Sequence, residues 1–113
     1  MDDVERMVAR AEDDATEPGE LATVLDELVV RAPGIAAAVA LGLLAREPRV
    51  KPSRRLLIDP SDAAYRRWRR RVVAAAALLA SAQVRHELAA EFADSPDLER
   101  DARAWVTGAT GAT

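Results

Sequence analysis

The stretch from Asp59 to Ala93 constrains the fold most strongly, because no glycine or proline follows Pro60 within it. Asp59 is suited to accept a backbone hydrogen bond as an N-cap. Pro60 suits the first helical position, where its missing N–H costs nothing. Asp62 faces the positive end of the helix dipole. The pattern predicts one long helix, from about residue 60 to residue 93.

The apolar residues of this stretch change their arrangement along its length. At about 100° per residue, one face holds six apolar or aromatic residues, namely Tyr65, Trp68, Val72, Ala75, Ala76 and Leu79. A second apolar face appears beyond Arg71, made of Val73, Ala77, Ala80, Val84 and Leu88. A helix that is apolar nearly all round is buried between others. We therefore expect a central helix that is amphipathic at first and enclosed beyond Arg71.

Four further helices are predicted from apolar residues at helical spacing and from Pro-containing breaks. They cover about residues 2–15, 18–31, 35–46 and 96–106, and the uncharged third one is expected to be the most buried. The fold class is therefore an all-α, compact bundle of about five helices. The alternative is a short α-solenoid-like stack of helix pairs, but a free-standing solenoid needs about three units. We expect one domain over residues 1–106 and a disordered tail over 107–113, which is rich in Gly, Ala and Thr.

The composition and the lengths of the apolar runs argue against several classes of site and segment. The chain has no Cys, which excludes disulfides, thiolate catalysis and Cys-based metal sites. The longest uncharged apolar runs, 32–45 and 72–84, are shorter than the roughly 20 residues of a membrane helix. No signal-peptide pattern is evident, so a cytoplasmic location is expected. A single Lys, Lys51, among 16 basic residues indicates a GC-rich, prokaryotic coding sequence.

The net charge of −3 conceals a strong segregation along the chain. Residues 1–45 carry a net charge of −7, residues 46–71 carry +7, and residues 72–113 carry −3. Such an asymmetry favours an interaction role for the basic segment.

The basic segment supplies the candidate partner-binding residues. Some lie in the loop before the long helix, and the others lie in the first part of that helix. They are Arg49, Lys51, Arg54, Arg55, Arg66, Arg67, Arg69, Arg70 and Arg71. Arginine recognises phosphates and carboxylates through a planar set of donors. The predicted partner is therefore a protein with an acidic surface, or a second copy of the chain. Nucleic acid is the alternative partner for the same face.

A third interpretation is that these arginines pair with the acidic helices of their own chain. Exposed ion pairs contribute only about 0 to 1 kcal/mol each, which is a weak reason for such clustering. Arg67, Arg69 and Arg70 are predicted to point away from the apolar stripe, so replacing them with Gln is expected to leave folding intact.

No pattern in the sequence indicates catalysis. His86 is the only histidine, and a base needs a positioned partner, for which Glu87 and Glu91 are the nearest candidates. No phosphate-binding loop, nucleophile elbow or zincin motif occurs. The sequence predicts a non-enzyme with no cofactor, no metal and no small-molecule substrate. Trp68 continues an apolar stripe, which favours core packing over stacking on a nucleic-acid base.

Overall fold

The structure is a computed structural model that describes residues 2–47, 51 and 63–108. Across these residues the protein is all-α, with six α-helices and no β-strand. The helices are α1 (Asp3–Glu12), α2 (Pro18–Arg31), α3 (Pro33–Arg46), α4 (Ala63–Leu78), α5 (Arg85–Asp94) and α6 (Pro96–Thr107). A short 3₁₀ helix, Ala82–Val84, precedes α5. The predicted all-α bundle is confirmed, with one more helix than the five expected.

Local sequence signals account for most helix ends. Asp2 caps α1 by accepting a hydrogen bond from the backbone N–H of Glu5 at 2.7 Å. Pro18, Pro33 and Pro96 each begin a helix, where a proline loses no intrahelical hydrogen bond. Gly108 ends α6 with a φ of 82°, a left-handed conformation that favours glycine. The predicted breaks before Pro33 and at Ser95 are therefore present, although Pro33 and Gly34 already belong to α3.

The core forms around α4, which packs against α2, α3 and α6. Leu21, Leu25 and Leu28 bring one face of α2 into this core. The other helices add buried aliphatic and aromatic residues, chiefly Val39, Leu43, Leu44, Trp68, Val72, Val73, Leu78 and Leu98. The buried Ala36 and Ala40 lie on α3, which packs against α4, and their small side chains permit the two helices to approach closely.

The single long helix predicted over residues 60–93 is wrong in its second half. Helix α4 ends at Leu78, Ser81 is extended, and the chain resumes as the 3₁₀ helix and α5. An unbroken helix over residues 63–94 would be about 48 Å long, which exceeds the 43 Å longest dimension of the molecule. Breaking at Leu79 instead lets Leu88 and Phe92 become buried where α5 packs against α6.

The expectation that α3 is the most buried helix is also wrong, because α4 holds that position. Helix α4 has neighbours on several sides and buries even two arginines. Helix α3 buries one face only, and its other face is exposed. A helix is buried only on the sides where other helices pack against it, and the lack of charge in its sequence does not ensure that packing.

Some predictions fall outside the described residues. They concern the N-cap at Asp59, the start at Pro60 and the tail beyond Gly108. Thr107, the first residue of the predicted tail, closes α6. Among the described helices none is both long and apolar enough to span a membrane.

Candidate interaction surfaces

Of the nine predicted partner-binding residues, Arg49, Arg54 and Arg55 lie outside the described residues. The remaining six fall into two groups. Arg70 and Arg71 are buried, whereas Lys51, Arg66, Arg67 and Arg69 reach the surface to differing extents. The structure therefore does not place the six on one basic face.

Arg70 lies inside the protein beside a buried carboxylate. It is 0% exposed, and its Nε donates a hydrogen bond to Oε1 of Glu47 at 3.1 Å. Glu47, which follows α3, is 2% exposed. Its second oxygen accepts a hydrogen bond from Nε of Arg67 at 3.0 Å, and Arg67 extends to the surface. One buried acid thus joins two arginines on successive turns of α4.

The guanidinium groups of Arg70 and Arg66 also hold the turn between α1 and α2. Arg70 donates to the backbone carbonyls of Thr16 and, at 3.4 Å, of Ala11. Arg66 donates to the carbonyls of Asp14 and Thr16, and its Nε lies 3.0 Å from Glu17. Carbonyls at the C-terminal end of a helix have no intrahelical donor. Arg70 therefore supplies a hydrogen bond that the end of α1 cannot make for itself, and both arginines bond the carbonyls of the turn that follows.

Arg71 has a corresponding role on another side of α4. Its Nε donates to the carbonyl of Leu44 near the end of α3, at 3.4 Å, and its Nη2 donates to the carboxylate of Glu91 on α5. Arg71 is 1% exposed. It therefore ties α3 and α5 to the central helix.

The expectation that Arg70 points away from the core is wrong. Because α4 has neighbours on several sides, a position opposite the Trp68 stripe is also interior. The interpretation in which the arginines pair within their own chain describes Arg66, Arg67, Arg70 and Arg71. Every buried side-chain nitrogen or oxygen in the described part has a hydrogen-bond partner. A partner-binding role for the residues that reach the surface stays a prediction.

Two further basic residues contact α6. The guanidinium of Arg69 lies 5.4 Å from the ring centroid of Trp105, within the range of a cation–π interaction. Nζ of Lys51 lies 2.8 Å from Oδ2 of Asp101. The same oxygen accepts a hydrogen bond at 3.0 Å from Nε1 of Trp68, which is buried. Trp68 is thus a core residue, as expected, and its one polar atom is satisfied.

The surroundings of Asp101 shift its pKa in opposite directions. Partial burial raises the pKa, but the hydrogen bonds from Lys51 and Trp68 and the charges of Lys51 and Arg100 lower it by more. The net result is a pKa below the usual 3.8. The charged form of Asp101 is therefore favoured in the folded protein.

The Asp101 carboxylate should contribute to acid sensitivity. Because its folded pKa lies below the unfolded one, its stabilising contribution is complete above the unfolded value and is lost as the pH falls through the folded value. Thermal melts between roughly pH 5 and pH 2 should show a smaller loss of stability for Asp101→Asn than for the wild type. Asp94→Asn, at an exposed position, is the matched control. Identical pH profiles for Asp101→Asn and the wild type would contradict this assignment.

The candidate acid and base residues have different surroundings. His86 is exposed near the start of α5, and Glu91 accepts a hydrogen bond from Arg71. Within the described residues, no group of three or more His, Asp or Glu side chains could hold a metal ion.

Between Gly34 and Ala45 the outward face of α3 carries no polar or charged side chain. Its exposed positions in this range recur at helical spacing, and they are Gly34, Ile35, Ala38, Gly42 and Ala45. These five residues are called the α3 face below. Arg46, the last residue of the helix, is also exposed and pairs with Asp14. At the end of the preceding helix, Val30 is 83% exposed. The uncharged run 32–45 was visible in the sequence, but it indicated burial.

A groove borders this face. It has a volume of about 350 Å³ and is lined mainly by small apolar residues of α2, α3, α4 and the segment after α4. Val29, Ala36 and Ala37 line one side, while Ala77 and Leu78 line the other. A second groove, of about 490 Å³ between α5 and α6, is instead edged by Arg85, Glu99 and Arg103. The uncharged groove therefore extends the apolar surface of the α3 face.

Sequence reasoning missed two kinds of residue at these sites. Glu47 pairs with Arg67 and Arg70, and Asp101 pairs with Lys51. Only Glu47, an acid within the basic segment, carried a sequence signal for this role. The α3 face was missed because its composition resembles that of a core helix.

No family model, curated protein or solved structure matches the chain.

Proposed function

We propose that this protein is a non-enzymatic helical interaction module, a subunit that works by binding another protein through its α3 face. The observation that carries the proposal is the outward side of α3, where the five exposed positions between Gly34 and Ala45 hold only Gly, Ala and Ile. Exposed apolar patches of this kind mark sites of association in soluble proteins.

The chemistry of the face fits a protein partner. Interface centres are depleted of charged residues, and the whole run 32–45 is uncharged. Gly34, Ala38 and Gly42 project little from the helix, so the backbone of a partner helix can approach closely. Ile35 projects beyond them and is 45% exposed. Together they give a shallow surface with one apolar anchor.

The Arg-rich segment 46–71 stays a prediction as a second contact region. Its described arginines make ion pairs and hydrogen bonds within the chain, which leaves fewer donors for phosphates. This favours a protein over the alternative partner, nucleic acid. The cytoplasmic location and the prokaryotic origin also stay predictions.

A photoreactive side chain at Ala38 tests the proposal. In cells that naturally make the protein, illumination is expected to give a discrete covalent adduct at position 38, and none at the matched exposed position Ala90 on α5. The adduct should disappear when Ile35→Glu is added, because a buried carboxylate without a partner disfavours association. Equal labelling at both positions, or persistence of the adduct with Ile35→Glu, would contradict the proposal.

A further inference from the structure

We propose that two copies of this chain exchange α5 and α6, and that α4 and α5 join into one continuous helix in the exchanged dimer. The surface that receives the second copy is the side of α4 that α6 covers in the compact fold. This exchange does not involve the α3 face. It is a route to self-association that uses contacts already present within one chain.

The segment between α4 and α5 has the sequence of a helix but not its conformation. Residues 79–84 contain no glycine or proline, and Leu79, Ala80 and Ala82 are favourable helix formers. In the structure Ser81 is extended, with φ −88° and ψ 113°. The backbone N–H groups of Leu79 and Ser81 donate to carbonyls three residues earlier, as in turns. A continuous helix would provide regular intrahelical hydrogen bonds instead, so the local preference opposes the break.

Helices α5 and α6 form a unit that is attached to the rest of the protein mainly through α6. Leu98 of α6 is fully buried, and Trp68 of α4 donates its indole hydrogen bond to Asp101 of α6. Helix α5 packs more against α6 than against α4, where Arg71 pairs with Glu91. The packing of α6 against α4 therefore holds the break at residues 79–84 in place.

The helix lengths explain why the exchanged form needs a second copy. In a continuous helix, Asp94 would lie about 39 Å along the axis from Trp68, whereas the 12 residues of α6 span only about 18 Å. After the chain turns back at Ser95, α6 could not reach Trp68 of its own chain. The side of α4 around Trp68 would then be exposed unless α6 of another copy bound there. Exchange between two copies restores this packing in both.

The balance between monomer and exchanged dimer depends on concentration. Exchange preserves the contacts between α6 and α4, so the two forms differ mainly at residues 79–84 and in the entropy lost on association. Detaching α6 exposes buried residues such as Leu98, so we expect slow interconversion under native conditions. Refolding at high protein concentration is therefore expected to give a dimer that size-exclusion chromatography separates from the monomer.

The only lysine of the chain makes the exchange directly measurable. Nζ of Lys51 lies 2.8 Å from Oδ2 of Asp101. Because Lys51 precedes α4 and Asp101 lies on α6, a carbodiimide that condenses the amine with the carboxylate should link them within one chain in the monomer. In the exchanged dimer the same link should join two chains. When isotope-labelled and unlabelled full-length chains are refolded together, mass spectrometry should find Lys51–Asp101 links between labelled and unlabelled peptides in the dimer fraction only.

Two substitutions should change the dimer fraction in opposite directions. Ala82→Pro suits the broken form, because Ala82 is exposed and begins the 3₁₀ helix, and Ser81 before it is extended. A proline there interrupts a continuous helix. This variant should fold and stay monomeric where the wild type gives dimer. Ser81→Ala should raise the dimerisation constant by roughly two- to tenfold, because alanine favours a helix at both exchanged segments.

The outcomes distinguish exchange from other ways of associating. Links between labelled and unlabelled chains that are lost with Ala82→Pro support the exchange, and Ile35→Glu on the α3 face should leave those links unchanged. A chain that stays monomeric after refolding at high concentration, even with Ser81→Ala, overturns the inference. A dimer whose Lys51–Asp101 links all lie within single chains, or one that forms equally with Ala82→Pro, overturns it as well. None of these results bears on the adduct expected at Ala38, so the proposed function is tested separately.

Discussion

Glu47→Ala is expected to lower the free energy of unfolding by about 3 to 5 kcal/mol, the usual effect of removing one partner from a buried ion pair. Arg70 would remain inside the protein with its charge and without the carboxylate that its Nε contacts. The backbone carbonyls of Thr16 and Ala11 would still accept hydrogen bonds but carry no compensating charge. Chemical denaturation monitored by circular dichroism provides the measurement.

Glu17→Ala is the matched control, because Glu17 also pairs with an arginine of α4 but its side chain is 70% exposed. We expect it to cost at most about 1 kcal/mol. The double variant Glu47→Met with Arg70→Met should recover much of the loss, since an apolar pair can replace a buried ion pair. Equal losses of unfolding free energy in Glu47→Ala and Glu17→Ala would contradict this expectation, because the buried pair would then contribute no more to stability than the exposed one.

Trp68→Ala is expected to be similarly severe, at about 3 to 5 kcal/mol, because it removes a large buried ring and leaves a cavity. Trp68 is 1% exposed and lies on α4 at the centre of the core. The variant also removes the indole hydrogen bond to Asp101, although Lys51 remains close to the same carboxylate. Denaturation curves give the free energy of unfolding directly.

Trp105→Ala is the matched control, because it makes the same substitution at a less buried tryptophan. Trp105 lies near the end of α6 and is only partly buried, with Arg69 over its ring. We expect a smaller loss than at Trp68, made of partial burial and one cation–π contact. If Trp105→Ala destabilises the protein as much as Trp68→Ala, the core does not centre on α4 as described.

The dense arginines of α4 have a common structural role in the described part of the protein. Arg66, Arg70 and Arg71 donate to backbone carbonyls in the turn after α1 or near the end of α3, and each also pairs with an acid. Arginine suits this task because its planar group carries five donors. A lysine could not bridge a carboxylate and carbonyls with the same fixed geometry. Glu17, Glu47 and Glu91 therefore offset much of the positive charge of α4.

Much of the fold was determined by the sequence through short-range effects. Proline begins α2, α3 and α6 because its fixed backbone angle and missing N–H are compatible with a first helical position. The left-handed Gly108 ends α6. Helical spacing also identified the face that buries Trp68, Val72 and Ala75. These signals depend on neighbours within a few residues, so they operate before tertiary contacts form.

Only the tertiary structure decided where α4 ends and which arginines it buries. No glycine or proline marks the end at Leu78, and ending there lets α5 pack against α6. Arg67 and Arg70 lie one turn apart on α4, and Glu47 pairs with both from about 20 residues away in sequence, but only Arg70 is enclosed. A helical wheel describes one helix without its neighbours. The burial of a residue depends on how many helices surround its own helix. Whether a buried arginine has a compensating negative charge depends on which distant acid those helices bring near.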